Sequence, residues 1–394
     1  MRITGTTAQG LRLPIISPGD NLIDIIVDHV LTATAHHPLQ SDDIIGVTEG
    51  IVAKAEQNFA SIDHIATHIA EIFPQDTTES VALVFPMFSR NRFFNILKGI
   101  AKGVKHLHVI LPFPYDEVGN PIIDVRNPAN FTIVEDIGKA LTSVTNFVAR
   151  SQGPHKHEFT GVDYLELYQS AGDNITLHLT CDPSQAFTLT EHIIVGEIHK
   201  KDLTAAKLKA KNPAAKVITL SDILNKPING SGFNKKYGVL GSNLSTGTTL
   251  KLFPDKSQEF VEEVQARLQK ATGAAPEVMV FGDGAFKDPT QGIWELADPV
   301  VSPGYTPRLG QSPDEIKLKF VSDNDFAHLS GEEKTAAIKA AIANKKDNTA
   351  FREGTTPRIF ADLVGSLCDL ISGSGDKGTP VVLIRGYFDD LSVD

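Results

Sequence analysis

The sequence predicts a mixed α/β fold in two parts: a core built from residues 1–75 and 235–394, and an inserted α+β subdomain at 76–234. Three observations predict it. In both flanks, apolar runs of strand length alternate with amphipathic runs of helix length. The middle changes texture to many short β-like runs separated by turns, with clustered lysines. Finally, 394 residues at about 150 per domain make two or three domains.

Leu13-Pro14-Ile15-Ile16 is a short apolar run, and Asp20 can cap a helix whose apolar positions Leu22, Ile25, Ile26, Val30 and Leu31 repeat at helical spacing. Ile44-Ile45-Gly46-Val47 reads as a strand, and Thr48-Glu49 opens a helix with Ile51, Val52 and Ala55 on one side. In the middle, Val81–Phe85, Leu107–Leu111, Phe131–Val134, Ile175–Leu179 and His192–Ile198 read as strands. Lys98, Lys102, Lys105, Lys200, Lys201, Lys207, Lys209 and Lys211 make this section basic. Asn229-Gly230-Ser231-Gly232 is a plausible boundary. Beyond it, Phe260, Val261, Val264 and Leu268 mark a helix capped by Asp255 and ended by Gly273. The strand Val278–Phe281 follows. Ser330-Gly331-Glu332-Glu333 reads as a capping box for a helix through Lys345. A last helix, Arg358 to Ile371, precedes a buried strand at Val381–Ile384.

Net charge is −11, from 37 basic and 48 acidic residues, which argues against a nucleic-acid partner while leaving room for a local anion pocket. Two cysteines, Cys181 and Cys368, make neither a thiolate metal site nor a disulfide framework, and fit a reducing, cytoplasmic setting. No secretory signal is expected, and no apolar run reaches the ~20 residues that span a bilayer.

The most informative stretch is Ser372 to Gly386. A glycine-rich loop carries Asp376 and Lys377, and a short apolar strand then ends in Arg385. Such loops let backbone N–H groups and a lysine clamp phosphate or carboxylate, although an ordinary helix-to-strand connection reads equally well. Gly373, Gly375 and Gly378 match G-x-G-x-x-G, but the order helix–loop–strand is the reverse of a dinucleotide fingerprint, which argues against a nicotinamide or flavin oxidoreductase. Asp283, between Gly282 and Gly284 at a strand end, suits a hard cation, with Lys287 close behind as an anion ligand. Asp323 and Asp325 are candidate further metal ligands or plain surface acids. Thr355 or Thr356 caps a helix with Arg358 in its first turn, where an anion is favoured. His155-Lys156-His157 has no third ligand beside it. Nothing supports serine-hydrolase or zinc-peptidase chemistry.

Three segments together resemble the coenzyme F-420-0:L-glutamate ligase (γ-glutamyl ligase) family. They are Leu13-Pro14-Ile15-Ile16-Ser17-Pro18-Gly19-Asp20 with Asp43 to Glu56, then Gly238-Val239-Leu240-Gly241-Ser242-Asn243, and last Gly378 to Gly386 behind its Ser/Gly-rich loop. The resemblance covers roughly 60 N-terminal and 160 C-terminal residues and leaves the middle unmatched. It implies an amide ligase that is not of the ATP-grasp type. A nucleotide, GTP or ATP, and Mg2+ or Mn2+ would activate a small-molecule carboxylate acceptor as an acyl phosphate for attack by an amino acid, L-glutamate in the family. It also implies an intertwined homodimer. By position, Lys54 and Glu56 fall on the family's Lys-Ala-Glu motif, Ser242 and Asn243 on its Ser-Asn pair, and Asp283 beside its metal-binding Asp. Leu240 departs from the pattern, standing where the family has a metal-ligating Asp.

The expected assignments are therefore Lys54, Glu56 and Asn243 as catalytic residues. Ser242, Lys287, Thr355, Thr356, Arg358, Asp376, Lys377 and Arg385 are expected to hold nucleotide or other anions, and Asp283, Asp323 and Asp325 the metal. The alternative is a non-catalytic anion- or nucleotide-binding protein that kept the fold and lost the metal centre, as Leu240 implies.

Overall fold

The computed structural model describes residues 4–115, 127–137, 140–151, 155–156, 161–282, 286–287, 294–295, 301–313, 315–344, 359–373 and 376–390. Along the chain, β1 (Thr7–Leu11) leads to α1 (Leu22–Ala33), whose cap is Asn21; the expected cap, Asp20, instead accepts from the Ser17 N–H at 2.6 Å. Then come β2 (Ile44–Thr48), α2 (Glu49–Ala55), β3 (Phe59–Ser61) and α3 (Ile62–Ile72). The middle runs β4 (Val81–Val84), α4 (Phe94–Gly103), β5 (Leu107–Pro112), α5 (Phe131–Ile137), β6 (Thr142–Ser143), α6 (Val144–Arg150), α7 (Tyr164–Gln169), β7 (Ile175–Thr180), β8 (His192–Val195), α8 (Lys201–Lys211) and β9 (Lys216–Thr219). The remainder is β10 (Asn243–Leu244), β11 (Thr249–Lys251), α9 (Ser257–Thr272), β12 (Glu277–Gly282), β13 (Phe286–Lys287), β14 (Trp294–Glu295), β15 (Val301–Tyr305), α10 (Leu318–Asp323), α11 (Gly331–Ala343), α12 (Phe360–Ile371) and β16 (Val381–Arg385).

The mixed α/β class holds, and several local expectations do not. Phe131–Val134 is helical, because Ile133 and Ile137, four apart, are both buried and helical spacing outranks the β-branched composition. Asp255 does not cap α9: its Oδ1 accepts from the Lys235 N–H at 3.0 Å, and Lys256 holds the cap position without a side-chain bond. Ser330 likewise makes no capping bond to α11. Gly273 does end α9, in the left-handed conformation at φ 79°.

The chain divides into two compact units. The first is Met1–Val52, Lys256–Gly282 and Val300–Asp394; the second is Ala53–Asp255 and Asp283–Pro299. In the first unit one sheet has the order β1-β16-β2-β12-β15, with β2 and β12 parallel and the other neighbours antiparallel. Ile44, Ile45, Gly46 and Val47 of the central strand β2 are all buried, which is why its sequence reads as an unbroken apolar run. Helix α12 covers one face, packing Ala361, Val364 and Cys368 against Ile44, Met279, Phe281, Val382 and Ile384. Helix α9 packs on β12 and β15, with α1 beside it.

In the second unit, residues 53–255 lie together, and the Gly232 N–H donates to the Phe59 carbonyl at 2.7 Å. The main sheet here is more regular than the expected α+β arrangement. Strands β7-β5-β4-β8-β9 are all parallel, with β6 antiparallel on the edge. Both faces are covered. Leu83, Val109, Leu177 and Ile194 enter one apolar cluster with residues of α3, α4 and α7, while Ala82, Val84, Ile110, Ile193 and Val195 enter another with Ala205 and Leu208 of α8.

The second face also carries His108 and His178, whose Nδ1 and Nε2 lie 3.2 Å apart, beside His106, which meets the Thr176 hydroxyl at 3.1 Å. Burial, reinforced by the neighbouring His106 and His178, holds the His108 imidazole down at about 4. A base whose proton affinity is lower folded than unfolded leaves the unfolded chain holding more protons between its two pKa values. Stability contributed by this group is therefore complete above about pH 6.5 and declines as pH falls towards 4. We expect His108→Asn to flatten the dependence of melting temperature on pH across that window; an unchanged slope would remove His108 as its source. A second prediction concerns Gly46, where a Cβ would strike the Cys368 sulfur. Gly46→Ala should destabilise by about 1–3 kcal/mol in denaturant titration, with partial recovery in Gly46→Ala/Cys368→Ala.

Candidate active site

Two of the recognised motifs meet in the second unit. Helix α2 carries Lys54 and leads through Glu56 to β3, whose Phe59 pairs with Lys251 of β11, which in turn pairs with Asn243 of β10. Lys54 and Glu56 thus stand at one side of a three-stranded sheet, and Ser242-Asn243 enters it at the other. The Glu56 carboxylate accepts from the Asp255 N–H at 3.2 Å. Lys54, Glu56 and Asn243 are each half-buried.

Asn58 holds the arrangement. Its side-chain amide donates to the carbonyls of Phe253 (2.6 Å) and Phe233 (2.9 Å) and accepts from the Phe233 N–H (2.8 Å). Its backbone carbonyl accepts from the Leu252 N–H at 3.0 Å. Asn234 adds bonds from its amide to the carbonyls of Phe253 and Pro254, while its oxygen caps the turn at Lys236 and Tyr237. That turn leads into Val239-Leu240-Gly241-Ser242. Gly241 sits at φ 74° against the Phe253 ring, where a Cβ would clash, so only glycine fits. Ser242 is 1% exposed, and its hydroxyl has no hydrogen-bond partner. A sheltered hydroxyl without a partner in the protein is costly unless a water or a ligand meets it.

In the first unit the N-terminal and C-terminal motifs meet. The Leu13 N–H donates to the Gly378 carbonyl at 3.1 Å and the Thr48 N–H to the Pro380 carbonyl at 3.0 Å. The loop before β16 is closed by reciprocal bonds between Gly373 and Thr379, which leave Asp376 and Lys377 exposed at its tip. Thr379 Oγ1 is sheltered without a partner. Arg385 has partners of its own: Nη2 donates to the His37 carbonyl at 2.7 Å, and Nε lies 3.8 Å from the Asp43 carboxylate. Burial raises the Asp43 carboxyl above its ordinary range, against the Gln40 N–H and Arg385, which favour its charged form.

Sequence reasoning passed over Glu49. It is buried at the end of β2, and a Cβ on Gly282 would strike its side chain, so the ends of β2 and β12 carry a carboxylate beside the residue that precedes Asp283. An acid directly after a fully apolar strand was the available signal.

Asp283, Thr355, Thr356 and Arg358 lie outside the described residues, as does the Lys287 side chain. Asp323 ends α10, Asp325 lies just beyond it, and both are exposed. Among the described residues no three His, Cys, Asp or Glu side chains stand together as a cation site. Leu240, the residue that departs from the resemblance, is packed in the apolar cluster. The described residues alone therefore do not fit a divalent metal. His155 meets the Ser151 hydroxyl at 2.6 Å, and His157 is outside the described residues. Among the described residues no helix is long and apolar enough to cross a membrane.

The family model for F420-0:Gamma-glutamyl ligase matches residues 10–386 and runs across the middle segment that the three motifs leave uncovered. No curated protein matches the chain. The match spans far more than half of the chain, beginning within β1 and ending just after β16. The chain belongs to the F420-0:gamma-glutamyl ligase family.

Proposed function

We propose that this protein is an amide ligase that joins an amino acid, L-glutamate in the first instance, to a small-molecule carboxylate acceptor at the expense of GTP or ATP. An acceptor carboxylate oxygen attacks the γ-phosphorus, the bond to the nucleoside diphosphate breaks, and an acyl phosphate forms. The amine nitrogen then attacks the acyl carbon, loses a proton, and expels phosphate, leaving the amide. Such chemistry depends on holding anionic partners in line and on offsetting charge on the transferring oxygens.

One observation supports this reading: the pairing β10-β11-β3 puts the Lys54–Glu56 segment and the Ser242–Asn243 segment on one small sheet, braced by Asn58 at residues 233 and 253, and the Ser242 hydroxyl is sheltered without a partner. In this reading Lys54 offsets phosphate charge, Glu56 and Asn243 orient the reacting groups, and Ser242 hydrogen-bonds the substrate. Further anion contacts are proposed for Lys377, Arg385, Asp376, Lys287, Thr355, Thr356 and Arg358. Dependence on Mg2+ or Mn2+ belongs to the same proposal and rests on Asp283, with Asp323 and Asp325 as further ligands. A homodimer in the cytoplasm completes it. Leu240, sealed in the apolar cluster, favours the second reading, a binding protein without catalysis.

Calorimetry with GTP and ATP, with and without Mn2+, separates the two. Metal-dependent micromolar binding that Asp283→Ala abolishes supports the ligase; no binding in either condition favours the non-catalytic reading. With a turning-over acceptor, Lys54→Ala and Asn243→Ala should each lower kcat/KM about 100-fold or more at unchanged melting temperature. Full activity in both variants would sink the assigned roles.

A further inference from the structure

The parallel sheet of the second unit carries a feature that the ligase reading does not use. Its five parallel strands appear in the chain as β4, β5, β7, β8 and β9 and lie in space as β7-β5-β4-β8-β9. Strand order therefore reverses between β4 and β8. In open parallel sheets the crevice outside the carboxyl ends of the strands, at such a reversal, is where ligands bind, because the connections leave in opposite directions and open a gap there.

The gap is present. A crevice of about 620 Å³ is lined by Phe85 just after β4, Pro112 at the end of β5, Cys181 and Asp182 just after β7, and Glu197 just after β8. Helix α8 supplies its wall with Thr204, Lys207, Leu208 and Lys211, spaced to fall on one helical stripe, and Lys200 stands at that helix's start. The volume is in the range of small-molecule sites.

The backbone at the mouth is specialised for this. Gly196, between β8 and Glu197, lets the two strand exits pass closely: a Cβ there would lie 2.8 Å from Pro86 Cα and 3.1 Å from Pro86 N. Phe85, at φ 54°, takes the left-handed conformation that a bulky side chain avoids, held by its N–H on the Ile110 carbonyl at 2.8 Å. Strain at the exit of the first strand of the sheet, facing a glycine on the other side of the reversal, is the kind of local cost that a binding crevice retains.

The chemistry of the lining divides in three. Phe85, Pro112 and Leu208 are apolar. Glu197, 6% exposed, and Asp182, whose oxygens accept from the Ser184 N–H at 2.9 Å and hydroxyl at 2.7 Å, bring carboxylates to the strand ends. Lys200, Lys207 and Lys211 place three ammonium groups at the rim. Lys211 donates to the Ser184 hydroxyl at 2.6 Å, while Lys200 and Lys207 have no partner among the described residues. Cys181 is exposed; its sulfur donates to the Phe113 carbonyl at 3.0 Å, and partial desolvation raises its thiol, which disfavours the thiolate. A planar apolar ring, vicinal hydroxyls and a phosphate would meet these three parts in turn, whereas a bare phosphate would use only the lysines.

We propose that this crevice is a nucleoside-phosphate binding site, separate from the ligase site and independent of divalent metal. The test uses the full chain in EDTA, which silences a metal-dependent site. GMP and AMP are titrated by calorimetry, with ribose 5-phosphate and inorganic phosphate as probes of the shared phosphate chemistry. The expected result is 1:1 binding of a nucleoside monophosphate, at least tenfold tighter than inorganic phosphate. Lys207→Glu/Lys211→Glu, both exposed on α8, should weaken it at least tenfold at unchanged melting temperature, and Lys54→Ala should leave it unaltered. Hydrogen exchange should slow at residues 85–89 and 196–200 on binding. Absence of binding at millimolar nucleotide, binding untouched by the lysine reversals, or inorganic phosphate binding equally well would each overturn the site. None of these outcomes bears on the metal-dependent ligase assay.

Discussion

The second unit's candidate site depends on one buried amide. Asn58 meets four backbone groups from two separated stretches of chain, three through its side chain and one through its own carbonyl, so the segment that follows Lys54 is registered against residues 233 and 252–253, the latter just beyond the strand that pairs with Asn243. Each of those groups, if stranded without a partner in a closed interior, would cost about 1–3 kcal/mol. The interaction is therefore both a fold determinant and a ruler. It fixes where Ser242 arrives, and Gly241 then turns the chain against Phe253 so that the hydroxyl is sheltered. Asn234 repeats the device one turn away. A hydrophobic core alone would tolerate small shifts between these segments; a network of directed bonds does not.

The two sheets solve different problems. In the first unit, β2 runs between β16 and β12, is buried on both faces and ends at Glu49, so it delivers a carboxylate to the edge of a rigid layer. In the second, strands of four to six residues stack in parallel, and residues at or just beyond the carboxyl ends of four of them line one crevice. Rigid elements that end in loops place polar groups reproducibly, which is why both sheets present their chemically useful residues just beyond a strand.

Much of this was legible in the chain. The apolar runs at 44–47, 81–84, 278–281 and 381–384 announced strands because each is buried on both sides. The motif segments could be ordered because glycines and prolines punctuate them. What stayed hidden was long-range. That residues 13 and 378 bond, or 58 and 253, follows from topology and leaves no local trace. The reversed strand order was equally invisible, since it is a property of how five strands are stacked and none of them carries a glycine fingerprint. Phe131–Val134 misled because β-branched composition and helical burial point in opposite directions over four residues, and tertiary packing of Ile133 and Ile137 decides. Arg385 read as a free cation because its partners, His37 and Asp43, lie some 340 residues earlier.

The position of β16 has a consequence for how the protein is made. Residues 381–385 form the strand that sits between β1 and β2, so those two strands have no bridge between them until residues 381–385 have been synthesised. Residues 53–255, by contrast, contain the whole parallel sheet and its covering helices in one continuous stretch. Synthesis from the N-terminus at ~5–20 residues per second gives that stretch several seconds in which to fold before the closing strand exists. The first unit must wait, holding β1 and β2 with unpaired edges throughout. A nascent chain would thus carry a finished middle and an open sheet, and the segment that finally closes the sheet is the one that also brings the Gly373–Thr379 loop to Leu13 and Thr48.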